Sequence, residues 1–184
     1  MLRIILVIFT FAIFTGVGHA DEVSDTISEF KQSPRAMEFF GNSYAYAVFP
    51  KVGKGAVLVG GAHGKGIMFQ DGVRVGNITL NQISVGGQLG GQTDSQISFI
   101  QNKKAYDDFT SGSFEFGAQA SAVAVRAGAN ASAGTTGSTG GASSPSGIEL
   151  KGVYTQGVAT FIINKGGLMV EGALAGQTFT FEPG

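Results

Sequence analysis

Glycine divides most of this chain into short segments, and this pattern constrains the fold more than any other feature. From residue 44 onward, β-branched, aromatic and alanine residues cluster at 44–49, 56–60, 66–70 and 77–85, with glycine between the clusters. Runs of this length and composition are typical of strands. The 30 glycines follow no collagen-like period, and 43% of the chain is hydrophobic. The pattern therefore predicts a packed antiparallel sheet in which glycine supplies turns and bulges.

The strongest turn signal is Asp71-Gly72, which lies between the apolar segments 67–69 and 73–75. A type I′ turn needs positive φ at both central residues, and Asp and Gly tolerate that conformation well. The sequence therefore predicts a β-hairpin centred on this pair.

The region between Asp21 and Phe40 has a helical pattern instead. Pro34 interrupts it, and Ser33 before that proline is a suitable N-cap, so the sequence predicts helices at 22–32 and 34–41. The apolar residues on the predicted face are three, four or seven positions apart: Val23, Ile27, Phe30, Met37 and Phe40.

Beyond the hairpin, a strand is predicted at 96–101 and a capped short helix at 102–109, ending near Gly112. Alternation from Phe114 to Ala124 predicts a long strand with one face of small residues.

The remaining C-terminal part combines a loop with further strands. Residues 128–147 are mostly Gly, Ala, Ser and Thr, a composition that predicts a flexible loop. Four further strands, forming at least two hairpins, are expected at 147–154, 157–164, 168–173 and 177–181. The expected fold class is α+β, mainly β: an antiparallel glycine-rich sheet or barrel-like β-domain with short N-terminal helices and one short mid-chain helix.

Residues 1–20 have the organisation of a signal peptide. Arg3 supplies the positive charge, residues 4–14 are apolar apart from Thr10, and Gly18-His19-Ala20 supplies small residues at a cleavage site after Ala20. A membrane anchor is the alternative, but the apolar run is shorter than the roughly 20 residues needed to span a bilayer. We expect residues 21–184 to form a single exported domain, periplasmic or secreted.

Few side chains are suited to catalysis or metal binding. The chain has no cysteine, which excludes disulfides and thiolate ligands, and after cleavage His63 is the remaining histidine. No G-x-S-x-G motif is present. We expect no enzymatic activity, no cofactor and no metal site; the opposing hypothesis is an enzyme that uses His63 with nearby backbone amides. The net charge of −1 does not indicate a nucleic-acid partner.

Basic residues concentrate in the first third of the predicted mature chain, which predicts a cationic patch. An anionic membrane attracts each such residue by about 1 kcal/mol, and an apolar side chain of the first helix, Phe30, could then insert. Ordinary solvated lysines are the alternative. The candidate basic residues are Lys31, Arg35, Lys51, Lys54 and Lys65.

Four segments in a fixed order carry a resemblance to a known family. They are AYAVFPKVGKGAVLVGGAHGKGIM from Ala45, VGGQLGGQ at 85–92, FEFGAQASAVA from Phe114, and KGVYTQGVATFIINKGGLMVEGALAGQTFTF at 151–181. Together they resemble the SYLF domain family over residues 40–181.

The resemblance implies a domain that binds phospholipids, notably phosphoinositides in eukaryotic members, and that binds actin in some yeast relatives. Family lipid binding is attributed to an amphipathic N-terminal helix with basic residues, which maps here to Lys31 and Arg35. Neither actin nor phosphoinositide is expected in a bacterial envelope, so anionic phospholipid is the ligand class carried over. The first hypothesis is therefore a non-enzymatic phospholipid-binding envelope protein. The alternative is a structural protein that binds another envelope protein.

Overall fold

Eight strands pair into one sheet in the part of the chain that the structure describes. The structure is a computed structural model, and it describes residues 17–56, 60–84, 92–118, 120–124, 154–164 and 171–184. In chain order the elements are α1 (Val17–Lys31), α2 (Pro34–Asn42), β1 (Ala45–Ala56), β2 (Gly60–Gln70), β3 (Val73–Ser84), β4 (Gln92–Ile100), α3 (Lys103–Thr110), β5 (Ser121–Ala124), β6 (Val158–Asn164), β7 (Glu171–Ala173) and β8 (Gln177–Pro183).

The strand order is β7-β5-β6-β4-β1-β2-β3-β8. Neighbouring strands are antiparallel except β5 and β6, which pair in parallel. Six neighbouring strands, β6-β4-β1-β2-β3-β8, therefore form an antiparallel sheet. The described part of the chain also contains the three helices α1, α2 and α3. The predicted fold class, α+β and mainly β, is confirmed.

The sheet is strongly curled: its two edge strands, β7 and β8, approach each other. Residues 174–176 alone connect β7 to β8. The side-chain amide of Gln96 on β4 also donates a 3.1 Å hydrogen bond to that of Gln177 on β8. In a flat sheet β4 and β8 would be four interstrand distances apart, roughly 19 Å, which is too far for this hydrogen bond. The curl thus gives the sheet an inner and an outer face.

Both faces of the central strands are buried, which explains the density of aromatic residues. On β1, Ala47 and Phe49 point to the inner face, where they join a cluster that also contains Phe109 of α3. Val48 points to the outer face, where it packs beneath α1 and α2 with Phe39. The inner cluster is the core of the curl, and the outer one attaches the two N-terminal helices.

The local predictions are largely confirmed. Asp71 and Gly72 have φ of 50° and 76°, as a type I′ turn requires, and they join β2 to β3. Ser33 caps α2 by accepting a hydrogen bond from the Ala36 amide. Asn102 caps α3 in the same way, with a 3.0 Å bond from the Ala105 amide.

Two features of the N-terminal helices differ from their predictions. Helix α1 begins at Val17 rather than at residue 22, so it includes the predicted cleavage position, while residues 1–16 lie outside the described part. Met37 is 50% exposed, although Val23 and Phe30 of the same predicted apolar face are buried. Among the described residues, no helix is both long and apolar enough to cross a bilayer.

The long strand predicted from Phe114 to Ala124 is wrong in its extent. A turn closed by the hydrogen bond from the Ala120 amide to the Gly117 carbonyl interrupts it, so β5 begins at Ser121. Phe114, Phe116, Ala120 and Ala122 are buried as the alternation predicted, but Ala118 is exposed.

After residue 147, strands β6, β7 and β8 form no hairpin with one another. A turn is present at Gln156-Gly157, where the first hairpin is predicted: it is closed by an antiparallel bridge between Thr155 and Val158, but its first strand lies mostly outside the described residues. Strand β8 pairs with β3, and β7 pairs with β5, which lies between β6 and β7. The C-terminal strands therefore pair with distant segments. The predicted loop at 128–147, the strand at 147–153 and most of the glycine segment at 85–92 lie outside the described residues.

Candidate functional site

The structure brings two of the five predicted basic residues together. Lys51 on β1 and Lys65 on β2 are directly opposed cross-strand partners, and both are exposed on the outer face. Lys51 has a side chain 66% exposed and forms a 2.5 Å ion pair with Glu22 of α1. Because Glu22 lies five residues after the first residue of α1, this pair of lysines lies near the N-terminal end of that helix.

Lys54 lies three residues after Lys51 but points to the inner face. Its cross-strand partner is Ala62, a residue of the inner cluster. Its Nζ is 2.5 Å from Oδ2 of Asp94, a side chain only 1% exposed. Oδ1 of the same carboxylate has no hydrogen-bond partner among the described residues. Lys54 therefore neutralises a buried charge and does not belong to the exposed basic pair.

Lys31, Arg35 and Phe30 lie at the corner between α1 and α2. The Nζ of Lys31 lies 5.2 Å from the centroid of the Phe40 ring, a cation–π contact. Arg35 is partly buried. Phe30 is 0% exposed and belongs to the outer core cluster, so its predicted role as an inserting side chain does not fit this structure.

The aromatic contacts of this corner continue beneath it. Phe40 packs against Tyr46 at 5.3 Å between ring centroids, and Tyr46 stacks on Phe69 at 5.2 Å. Burial raises the pKa of the Tyr46 hydroxyl above its ordinary value. Because Glu22 contacts Lys51 near one end of α1 and Lys31 ends the helix, the corner lies roughly 13 Å along the helix axis from the Lys51–Lys65 pair. The predicted basic residues thus form no single patch.

A polar and cationic surface extends from the Lys51–Lys65 pair across β2, β3 and β8. Cross-strand register places Lys65 beside Thr79 and His63 beside Asn81. We call this surface the open face, and define it by six exposed side chains: Lys51, His63, Lys65, Asn81, Ile83 and Thr180. One carboxylate, that of Glu182, lies on the same side of β8, at the end paired with Asn77.

His63 is part of the open face rather than of a cleft. Its Nδ1 lies 2.9 Å from Oδ1 of Asn81, and because an amide oxygen can only accept, Nδ1 carries the hydrogen. The imidazole is therefore oriented by a neutral neighbour, with Nε2 directed away from that bond. The sequence suggested His63 with nearby backbone amides as the opposing, enzymatic hypothesis; the structure places His63 on the same exposed face of β2 as Lys65.

A buried polar network inside the curl was missed by sequence reasoning. Gln177 of β8 donates to Gln82 of β3 at 3.2 Å and to Gln96 of β4 at 3.3 Å. Ser98 of β4 and Thr160 of β6 share a 3.0 Å hydrogen bond nearby. These bonds join four strands through their side chains, so the network fixes the curvature of the sheet.

A family model, Ysc84, described as "Las17-binding protein actin regulator", matches residues 81–181, more than half of the 184-residue chain. The chain belongs to this family. It is the SYLF domain family that the sequence motifs resemble, so that prediction is confirmed. A comparison with curated proteins gives no match.

Membership in the SYLF family suggests a lipid- or actin-related binding function, and the family is generally one of binding domains. The matched segment includes Asn81, Ile83 and Thr180 of the open face, whereas Lys51 and Lys65 precede it. The β3 and β8 part of the open face is thus built from the matched family segment.

Proposed function

We propose that this SYLF protein binds the surface of an anionic phospholipid membrane through its open face and catalyses no reaction. The observation that carries the proposal is the direct cross-strand pairing of Lys51 with Lys65 on an exposed part of the sheet. Each lysine near an anionic membrane contributes about 1 kcal/mol of attraction. Two adjacent lysines therefore form a small site for acidic headgroups.

The arrangement of the two lysines favours an anion between them. Like charges directly opposed on neighbouring strands destabilise a sheet. Glu22 offsets part of this repulsion by pairing with Lys51, but the pair is solvent-exposed, and such pairs contribute about 0–1 kcal/mol. A phosphate group can therefore compete with Glu22, and it would relieve the repulsion that Lys65 adds.

We propose further that the protein meets this membrane after export, as a periplasmic or secreted protein released by cleavage near Ala20. Export of the chain separates it from cytoplasmic partners, and this supports a lipid ligand over actin. A second envelope protein is the competing partner. Failure of the purified protein to bind any vesicle would favour this alternative, because binding to a protein does not require lipid.

The test is co-sedimentation of the purified protein with vesicles of phosphatidylcholine alone or with added phosphatidylglycerol. We expect binding to the anionic vesicles, and weaker binding as salt rises from about 0.1 M to about 1 M, because the Debye length falls from about 10 Å to about 3 Å. Equal binding to both vesicles, or binding to neither, would contradict the proposal. A protein partner would then take first place.

A matched pair of double variants locates the site. Lys51→Gln with Lys65→Gln should weaken binding to anionic vesicles about tenfold or more, since each lysine is worth about 1 kcal/mol. Lys103→Gln with Lys104→Gln removes the same charge from α3, whose buried residues pack in the inner cluster, and should leave binding unchanged. If both variants lose affinity equally, net charge rather than the open face determines binding.

A further inference from the structure

Ile83 is the most exposed of the large apolar residues in the described part of the chain, at 75%. It lies at the end of β3, and its cross-strand partner on β2 is Gly61. On its other side, Gly176 approaches the Ile83 backbone so closely that a Cβ there would lie 2.8 Å from the Ile83 carbonyl oxygen. With a glycine on either side, the isoleucine side chain projects from the sheet.

The orientation of Ile83 is fixed by its neighbour in sequence. Along β3, Ile78 and Leu80 point inward, and Thr79 and Asn81 alternate with them. Continuing this alternation places Gln82 inside and Ile83 outside. The inward position of Gln82 is held by its hydrogen bonds to Gln177 and to the Ala175 carbonyl. A change of register that buried Ile83 would break both bonds.

Ile83 shares its face with the cationic residues of the site. On this face, the pair next to Gly61 and Ile83 is His63 and Asn81. Lys65 lies four residues beyond Gly61, roughly 14 Å away along β2. The surface thus combines a projecting aliphatic side chain with lysines. Protein segments that lie in a membrane interface have the same combination: their apolar groups enter the headgroup–acyl boundary, and their cations contact phosphates.

We infer that Ile83 is the apolar anchor of the open face and enters the acyl boundary of the anionic bilayer when that face docks. The inference rests on the proposed function. It adds a salt-independent contribution that the lysines cannot supply, because burial of an aliphatic side chain does not depend on charge. Single exposed apolar residues are common on the surfaces of folded proteins; what distinguishes this one is that it projects from the same face of the sheet as the lysine pair, roughly 14 Å from it along β2.

The chain contains no tryptophan, so a single introduced tryptophan reports its own environment. Ile83→Trp should show a blue-shifted emission with phosphatidylglycerol vesicles, and quenching by lipids brominated in the acyl chain. Val73→Trp is the matched control: Val73 is 66% exposed but lies at the other end of β3, roughly 33 Å away, and its emission should not change.

The outcomes separate the inference from the proposed function. If Ile83→Trp co-sediments with the anionic vesicles but is neither shifted nor quenched, the anchor is wrong and lipid docking stands. If no variant and no parent protein sediments, both are wrong. If the tryptophans of Ile83→Trp and Val73→Trp are quenched equally, insertion into the bilayer is not specific to the open face, and the assignment of Ile83 as the anchor is again wrong.

Affinity gives a second measurement. Ile83→Ser should weaken binding about tenfold, the low end for burial of a large aliphatic side chain, and this loss should persist at about 1 M salt. Ile83→Leu should retain binding, and Val73→Ser should match the parent protein. Equal affinity of Ile83→Ser and the parent protein at both salt concentrations would overturn the inference. Because Ile83 is exposed, circular dichroism should show an unchanged fold.

Discussion

Lys51 and Lys54 lie three residues apart on the same strand, yet they do different things. The outer lysine is 66% exposed and pairs with a carboxylate that is itself partly exposed. The inner lysine is 19% exposed and pairs with Asp94, which is 1% exposed. The face of the sheet, more than the local density of charge, therefore decides whether a lysine is available to a ligand or is committed to a buried partner.

The two faces differ in packing as well as in charge. On the inner face of β2, a Cβ at Gly66 would collide with the Val48 carbonyl oxygen and with the Phe49 ring. On the outer face of the same strand, a Cβ at Gly61 would meet the Gln82 carbonyl oxygen at 3.4 Å, an ordinary contact. The inner face has no spare volume at Gly66, whereas the open face accepts additional atoms at Gly61.

The largest expected effect is at the inner ion pair. Lys54→Met would leave the buried Asp94 carboxylate without its cation, and breaking a buried pair in this way costs about 3–5 kcal/mol. We expect the free energy of unfolding, measured by urea denaturation at neutral pH, to fall by about 3 kcal/mol. Lys51→Met, the matched outer variant, should change it by less than about 1 kcal/mol. Similar losses in the two variants would remove the distinction between the faces.

The second prediction compares the two glycines of β2. Gly66→Ala should destabilise the protein by about 1–3 kcal/mol, because overpacking forces the backbone of β1 to shift. Gly61→Ala should be close to neutral, since its Cβ fits. Thermal unfolding followed by circular dichroism measures both. An unchanged melting temperature for Gly66→Ala would mean that the inner face is less crowded than the structure shows.

The smallest effect is expected at the outer ion pair, and it concerns binding. Glu22→Gln removes the carboxylate that competes with headgroups for Lys51, so affinity for anionic vesicles should rise up to about fivefold, given about 1 kcal/mol for such a charge. Glu115→Gln makes the same change in net charge on an exposed segment beside α3 and should have a smaller effect. A loss of affinity in Glu22→Gln would show that Glu22 holds Lys51 in its binding position.

The parts of the fold that could be predicted are those whose cause lies within a few residues. The turn at Asp71-Gly72 follows from the conformations those residues tolerate, and the starts of α2 and α3 follow from the caps Ser33 and Asn102. The pairing of β8 with β3 had no such local signal, because it depends on contacts between segments about a hundred residues apart.

The site was predicted in part for the same reason. The sequence indicates that lysines cluster, but the side to which each one points depends on strand register, and the irregularity between Phe49 and Val52 changes that register within β1. The sequence does contain a signal for two residues of β3. Within β3, Gln82 occupies an apolar position of the alternation and Ile83 a polar one, which marks both as exceptions. The structure assigns one exception to the buried network and the other to the open face.

The short connection between the two edge strands has a consequence for how the chain reaches its native state. Strand β8 completes the inner core by pairing with β3 and by placing Gln177 against Gln96, so the central strands gain their full stability when the last strand arrives. Such non-local closure is slow, because the entropy of closing a long loop must be lost before the contacts that stabilise it can form. The closed inner core therefore depends on β8 reaching β3, a segment about a hundred residues away in the chain.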